Sequence, residues 1–104
     1  MRFIALDKLI NLQDGYRRRI KIDALDVLVI QEQGAVHIIE SRCPHQEFSL
    51  ETADVLDNTI YCPLHGYGFA LEDGRHDAGS CQSLRVYQPV YEGSEIGIAL
   101  PEDS

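Results

Sequence analysis

The chain has 104 residues, with nine Lys and Arg against seventeen Asp and Glu, and a formal charge of −8. That length fits one domain with one modest core that buries roughly two thirds of the unfolded chain's surface, and it leaves little room for a deep substrate cavity. An apolar share of 44% beside 25% charged residues excludes wholesale disorder, and no apolar run reaches the roughly 20 residues that a membrane helix requires.

The opening MRFIALDKLI is broken by Asp7 and Lys8 and lacks the apolar block and cleavage site of a signal peptide, so a soluble, cytoplasmic protein is expected. Phe3–Leu6 is a first short apolar run. Gly15-Tyr16 opens a segment through Ile22 in which Ile20 and Ile22 alternate with Lys21. The Arg17–Arg19 run inside it reads as a solvated strand edge guarded by charge. Asp26–Gln31 (DVLVIQ) has the β-branched, near-continuous apolar content of a buried strand. Gln33-Gly34 follows as a turn, and Ala35–Glu40 completes a hairpin. Leu50–Val55 is expected to hold at most one helical turn. Further short runs cover Asn58–Tyr61, Gly66–Leu71, Leu84–Tyr87, Val90–Glu92 and Glu95–Leu100, separated by Gly, Pro, Asp and Asn. Strands this short at this spacing predict an all-β chain, a small antiparallel sandwich or barrel.

Charge is unevenly placed. Residues 1–21 carry a net +4 and residues 22–104 a net −12. The acidic bulk argues against nucleic acid as the main partner.

Two turn-rich segments break the alternation, residues 41–49 (SRCPHQEFS) and 62–69 (CPLHGYGF), and each holds a Cys and a His. Cys43 and His45 are separated by one residue, Cys62 and His65 by two, and sixteen residues, 46–61, lie between the pairs. Pro44 and Pro63 stiffen the backbone directly after each thiol, so a loop can aim two side chains at one point with little ordering cost. In a cytosolic chain, cysteines beside histidines point to metal rather than to a disulfide. Mononuclear zinc is one reading of two Cys and two His. Zinc fingers, however, tend to place Cys with Cys and His with His, whereas here each loop contributes one of each. That split suits a two-iron cluster in which one iron takes both thiolates and the other both imidazoles.

The pattern C-P-H, sixteen residues, then C-P-L-H-G resembles the Rieske [2Fe-2S] motif. The similarity continues through His65-Gly66-Tyr67-Gly68-Phe69, the Asp73-Gly74 turn and the Leu84–Tyr87 strand, and so covers essentially the whole chain, residues 1–104, as one Rieske domain. The resemblance implies the family fold, with one [2Fe-2S] cluster held by two loops at one tip. It also implies that Cys43 and Cys62 bind the inner iron and His45 and His65 the outer, solvent-facing iron. Two ferric ions and two sulfides carry +2, which the two thiolates cancel, so oxidised protein keeps about the apoprotein charge and reduction adds one negative charge.

High-potential Rieske proteins of respiratory complexes add a Cys to each loop, joined as a disulfide. Leu64 stands at the second-loop position here, with Gln46, Glu47 and Phe48 in the first loop. Those proteins also place a Ser and a Tyr after the second His, and the corresponding residues here are Tyr67 and Phe69. Loss of hydrogen bonds toward cluster sulfur predicts a potential toward the lower end of the roughly −150 to +300 mV Rieske range. Residues 43–77 carry a net −6, an acidic rim that lowers potential further and steers a basic partner.

The remaining candidates have plainer readings. Cys81 is a small buried residue near the cluster end. His37 lies on a solvated or half-buried strand face and His76 on a surface turn. Tyr61, Tyr67, Tyr87 and Tyr91 are core aromatics, and Phe48 and Tyr67 shield the loops from water. With no nucleophile–base pair or phosphate loop, the chain is expected to be an electron carrier and not itself an enzyme. It resembles the stand-alone ferredoxins of bacterial ring-hydroxylating dioxygenase systems. That resemblance implies a monomer that takes electrons from a flavin-dependent NAD(P)H reductase and passes them to a terminal oxygenase, with no membrane or nucleic-acid partner. Two rivals are the small subunit of an assimilatory nitrite reductase, partnered by a large sirohaem subunit, and a zinc-binding structural or interaction module.

Overall fold

Ten short strands account for the regular structure of the computed structural model, which describes residues 2–43, 48–63, 68–75 and 83–100. In chain order they are β1 (Arg2–Lys8), β2 (Arg17–Ile22), β3 (Leu25–Glu32), β4 (Ala35–Glu40), β5 (Asp54–Leu56), β6 (Thr59–Tyr61), β7 (Gly68–Ala70), β8 (Val86–Tyr87), β9 (Val90–Glu92) and β10 (Glu95–Leu100). They form three antiparallel sheets, ordered β1-β10-β9, β2-β3-β4-β8 and β5-β6-β7. The all-β antiparallel expectation is met. No helix among the described residues is long and apolar enough to cross a membrane.

The middle sheet explains why DVLVIQ is nearly all apolar. Side chains alternate across a strand, so a continuous apolar run must be covered on both faces. Leu28, Ile30 and Ile39 face one way, into a cluster with Leu50, Ala53, Ile60, Phe69, Leu71 and Leu84. Val27, Val29 and Ile38 face the other way, onto Leu6 and Ile98 of the β1–β10 pair. The register Leu28–Ile39 and Val29–Ile38 keeps the two sets apart. Gln33 and Gly34 close this hairpin, both in the left-handed region (φ 52° and 79°), as the tight twist-matched hairpin turn requires.

Two expectations shift. The segment 50–55 does contain a single tight turn, in which the Ala53 N–H donates to the Leu50 carbonyl, but Asp54 and Val55 then enter β5. Three residues of β5 leave too little alternation for the sequence to announce a strand. A short 3-10 turn, Leu9–Asn11, follows β1. Tyr91 is 56% exposed on β9, not a core aromatic, because β9 is an outer strand of its sheet.

β2 is an outer strand, as the basic run predicts, but its arginines are not simply solvated. Arg19 grips the Asp26 carboxylate across the β2–β3 pair with two bonds, 2.9 and 2.6 Å. This bidentate pairing holds the Asp26 pKa at about 2. Asp7, in β1, would be raised by burial. Hydrogen bonds from Tyr16 and Asn11 and the Lys8 amide, with the Arg18 charge, overcome that and hold it at about 2.

His37 sits half-buried on β4, at a shallow cavity lined by Glu32, Gln33, Ala35, Asn58 and Glu72, where the middle sheet meets the β5–β7 unit. Its Nε2 has no hydrogen-bond partner among the described residues. Burial lowers its pKa, against the opposing pull of the Leu71 carbonyl, Glu72 and Glu32. The folded state therefore binds this proton less readily than the unfolded state, and stability falls as pH drops through the unfolded value of about 6.5. Denaturant midpoints should decline less between about pH 7.5 and pH 5 in His37→Gln than in the parent.

Gly74 has φ 78°, accepts from the Leu84 N–H, and would place a Cβ 1.9 Å from the Leu84 carbonyl oxygen. The left-handed conformation costs a non-glycine residue about 1–2 kcal/mol and the clash about as much again, against an entropic gain below about 1 kcal/mol. Gly74→Ala should therefore destabilise the fold by about 2–3 kcal/mol in chemical denaturation.

Candidate metal centre

Both cysteines stand at the mouths of hairpin loops. Beyond β4 the chain runs on through Ser41 and Arg42, and residues 48–50 come back alongside. The Cys43 N–H donates to the Phe48 carbonyl (2.8 Å), Arg42 bridges Ser49, and the Leu50 N–H donates to the Ser41 carbonyl (2.7 Å). Cys43 thus opens a six-residue loop, 43–48. Cys62 follows β6, and the Tyr61–Gly68 pair closes a second six-residue loop, 62–67. The two loops repeat one device: a short antiparallel ladder, after which the sequence continues Cys-Pro.

The ladders bring both thiols inward. Cys43 and Cys62 are 0% and 1% exposed, and both belong to the apolar cluster of Leu28, Ile30, Ile39, Leu50, Ala53, Ile60, Phe69, Leu71 and Leu84. Strands of the middle sheet supply one wall and the β5–β7 unit the other. Such a wall excludes water and lowers the local dielectric, which strengthens any charge-neutralising contact made inside it. Two buried sulfur donors converging on one core fit an iron that takes two thiolates, and this chemistry suits the sulfur-ligated half of a [2Fe-2S] group.

His45 and His65, the expected partners of these thiols, lie outside the described residues, as do Tyr67, His76 and Cys81. Among the described residues no group of three or more His, Cys, Asp or Glu gathers in metal-binding geometry. Phe69 is fully buried in the cluster, so the position that carries a hydroxyl in high-potential relatives is filled here by an apolar ring. Phe48 is 39% exposed, which limits its expected shielding role to a partial one. Of the acidic rim, Glu51, Asp54, Asp57, Glu72 and Asp73 are exposed, and Glu47 and Asp77 lie outside the described residues. Sequence reasoning did not single out Leu50, Ala53, Ile60, Leu71 and Leu84 as walls of the site. Their only signal was apolar character at positions flanking the two loops.

Comparison with known proteins agrees with this geometry. The Rieske [2Fe-2S] domain model matches residues 3–88. The ferredoxin component of the alkene monooxygenase system of Xanthobacter autotrophicus is 25% identical over 83% of this chain and 71% of its own length. Cholesterol 7-desaturase of Caenorhabditis elegans is 44% identical over 46% of the chain. The chain spans only 12–15% of the length of that protein and of the apoptosis-inducing factor 3 proteins of mouse and human that it also matches. Among solved structures, the ferredoxin of carbazole 1,9a-dioxygenase from Nocardioides aromaticivorans superposes with a TM-score of 0.80 at 28% identity, covering 93% of this chain and 96% of that one. A ferredoxin-sized chain in a complex of reduced oxygenase and oxidised ferredoxin of carbazole 1,9a-dioxygenase superposes at 0.79 and 23% identity, over 92% of this chain and all of that one. With Cys-Pro loops closing on one apolar cluster and the family match running through both, the chain belongs to the Rieske [2Fe-2S] domain family, whose group is one [2Fe-2S] cluster.

Proposed function

We propose that the chain is a one-electron carrier whose cluster is held by Cys43 and Cys62 on one iron and by His45 and His65 on the other. The observation that carries this reading is the burial of both cysteines in one apolar cluster, each opening a hairpin loop whose sequence sets a histidine two or three residues further on. When bound, the group supplies a one-electron couple.

The chain's own residues do the rest. The Cys43–Phe48 and Tyr61–Gly68 pairs hold the loop mouths at fixed width. Leu50, Ile60, Phe69 and Leu71 keep water from the thiolate side. The buried Phe69 ring offers no hydroxyl donor, which favours the lower part of the family's potential range. Exposed carboxylates at Glu51, Asp54, Asp57, Glu72 and Asp73 raise the cost of adding an electron and attract a basic partner surface.

In this reading residues 1–104 act as one domain that performs no catalysis itself. A flavin-dependent NAD(P)H reductase in the cytoplasm is the donor and a terminal oxygenase the acceptor. Similarity to the alkene monooxygenase and carbazole dioxygenase ferredoxins supports the oxygenase as acceptor.

Purified protein should be red-brown and hold iron and acid-labile sulfide at about two each per chain. Colourless protein with one zinc would overturn the reading in favour of a structural zinc module. His65→Ala should abolish the Rieske-type electron paramagnetic resonance signal, and its retention would refute the ligand assignment. Tyr67→Ser should raise the midpoint potential in protein-film voltammetry by restoring a donor toward sulfur. A value that is unchanged or lower would remove the missing hydrogen bond as the cause of low potential.

A further inference from the structure

Arg17 begins β2, yet its guanidinium is turned inward. Nη1 donates to the carbonyl oxygens of Glu51, at 3.1 Å, and Ala53, at 2.5 Å. These carbonyls lie in the tight turn 50–53, which the Ala53 N–H closes onto the Leu50 carbonyl. The turn lies on the only covalent path from one cysteine to the other: the first loop leads into it, and it leads through β5 and β6 to Cys62.

The turn is also part of the thiol pocket. Leu50 and Ala53 are 0% and 2% exposed and pack in the same cluster as Cys43 and Cys62. The Leu50 N–H reaches the Ser41 carbonyl two residues before Cys43. A displacement of this turn is therefore passed to the first loop by a hydrogen bond and to both thiols by packing. The neighbouring arginines do not share this task. The Arg19 fork is occupied by Asp26, and Arg18, with a 61% exposed side chain, is directed to the Asp7–Tyr16 pair, 3.5 Å from the Asp7 carboxylate.

We infer that Arg17 is a positioning residue for the metal centre: by pinning the 50–53 turn to the middle sheet, it fixes where the first loop presents Cys43 relative to Cys62. The inference rests on the ligand assignment proposed above. Guanidinium stays charged at every working pH, so the pin does not switch with acidity. A charge-assisted hydrogen bond to a backbone carbonyl is worth roughly a ten- to hundredfold change in a local opening equilibrium.

The test compares holoprotein carrying Arg17→Met, Arg17→Gln or Arg17→Lys with the parent and with Arg18→Met, which makes the same charge change one residue away. Both neutral variants at position 17 should release iron to a chelator about tenfold faster, shift the g-values of the reduced protein, and speed amide exchange at Leu50. Arg17→Lys should recover much of each change, and Arg18→Met should resemble the parent. Unchanged release, g-values and Leu50 exchange in Arg17→Gln would overturn the inference, as would equal changes in Arg18→Met. If Arg17→Met does not fold, Arg17→Gln alone decides. Parent protein without a Rieske-type signal would instead defeat the ligand assignment, and Leu50 exchange would still report whether Arg17 holds the turn.

Discussion

Double-sided burial of the β3–β4 hairpin is the constraint on which the rest depends. A strand that is apolar on both faces cannot be stable until something covers each face. Here the β1–β10 pair covers one face and the β5–β7 unit, with Cys43, Cys62, Leu50 and Ala53, covers the other. The second cover also holds both cysteines of the proposed metal centre, so in that assignment the scaffold and the site are not separate structures. The same Leu28, Ile30 and Ile39 that close the core also form the floor beneath both thiols.

This arrangement settles an electrostatic problem. Two thiolates in an apolar cluster would be expensive to bury uncompensated. A core of two ferric ions and two sulfides offsets them fully, so an apolar wall is compatible with the oxidised centre, and only the added electron is an uncompensated charge. The wall and the exposed carboxylates therefore act in the same direction on potential. Neither needs a specific hydrogen bond to do so, and the buried Phe69 ring provides none from its own side chain.

The sequence was most readable where pattern and chemistry coincide. DVLVIQ read as a buried strand and Gln33-Gly34 as the turn after it, and both stand in the β3–β4 hairpin. The paired Cys-Pro loops pointed to a metal centre because thiol, proline and imidazole at that spacing have few other uses, and both cysteines are buried in one cluster. Elsewhere the signal was too thin. β5 has three residues, too few for a period, and a turn and a strand share the same stretch. Arg17 looked like one of three equivalent surface charges, because a side chain bonded to backbone carbonyls leaves no mark on the residues it contacts. Tyr91 read as core because aromatic content shows what a residue can bury, not whether a layer exists to bury it. His45, His65, His76 and Cys81 fall outside the described residues, and for them the sequence pattern is the whole argument.

The Gln33-Gly34 turn carries a responsibility larger than two residues suggest. Slipping one strand of the hairpin by a single position would exchange its faces. The slipped strand would then show the thiols the side chains meant for the β1–β10 pair, with valines in place of leucine and isoleucine if the strand is β3. In that case the pocket would lose packing contact and be left with voids beside the thiols. Two left-handed residues, one of them glycine, thus decide which half of an almost uniformly apolar strand lines the two buried thiols.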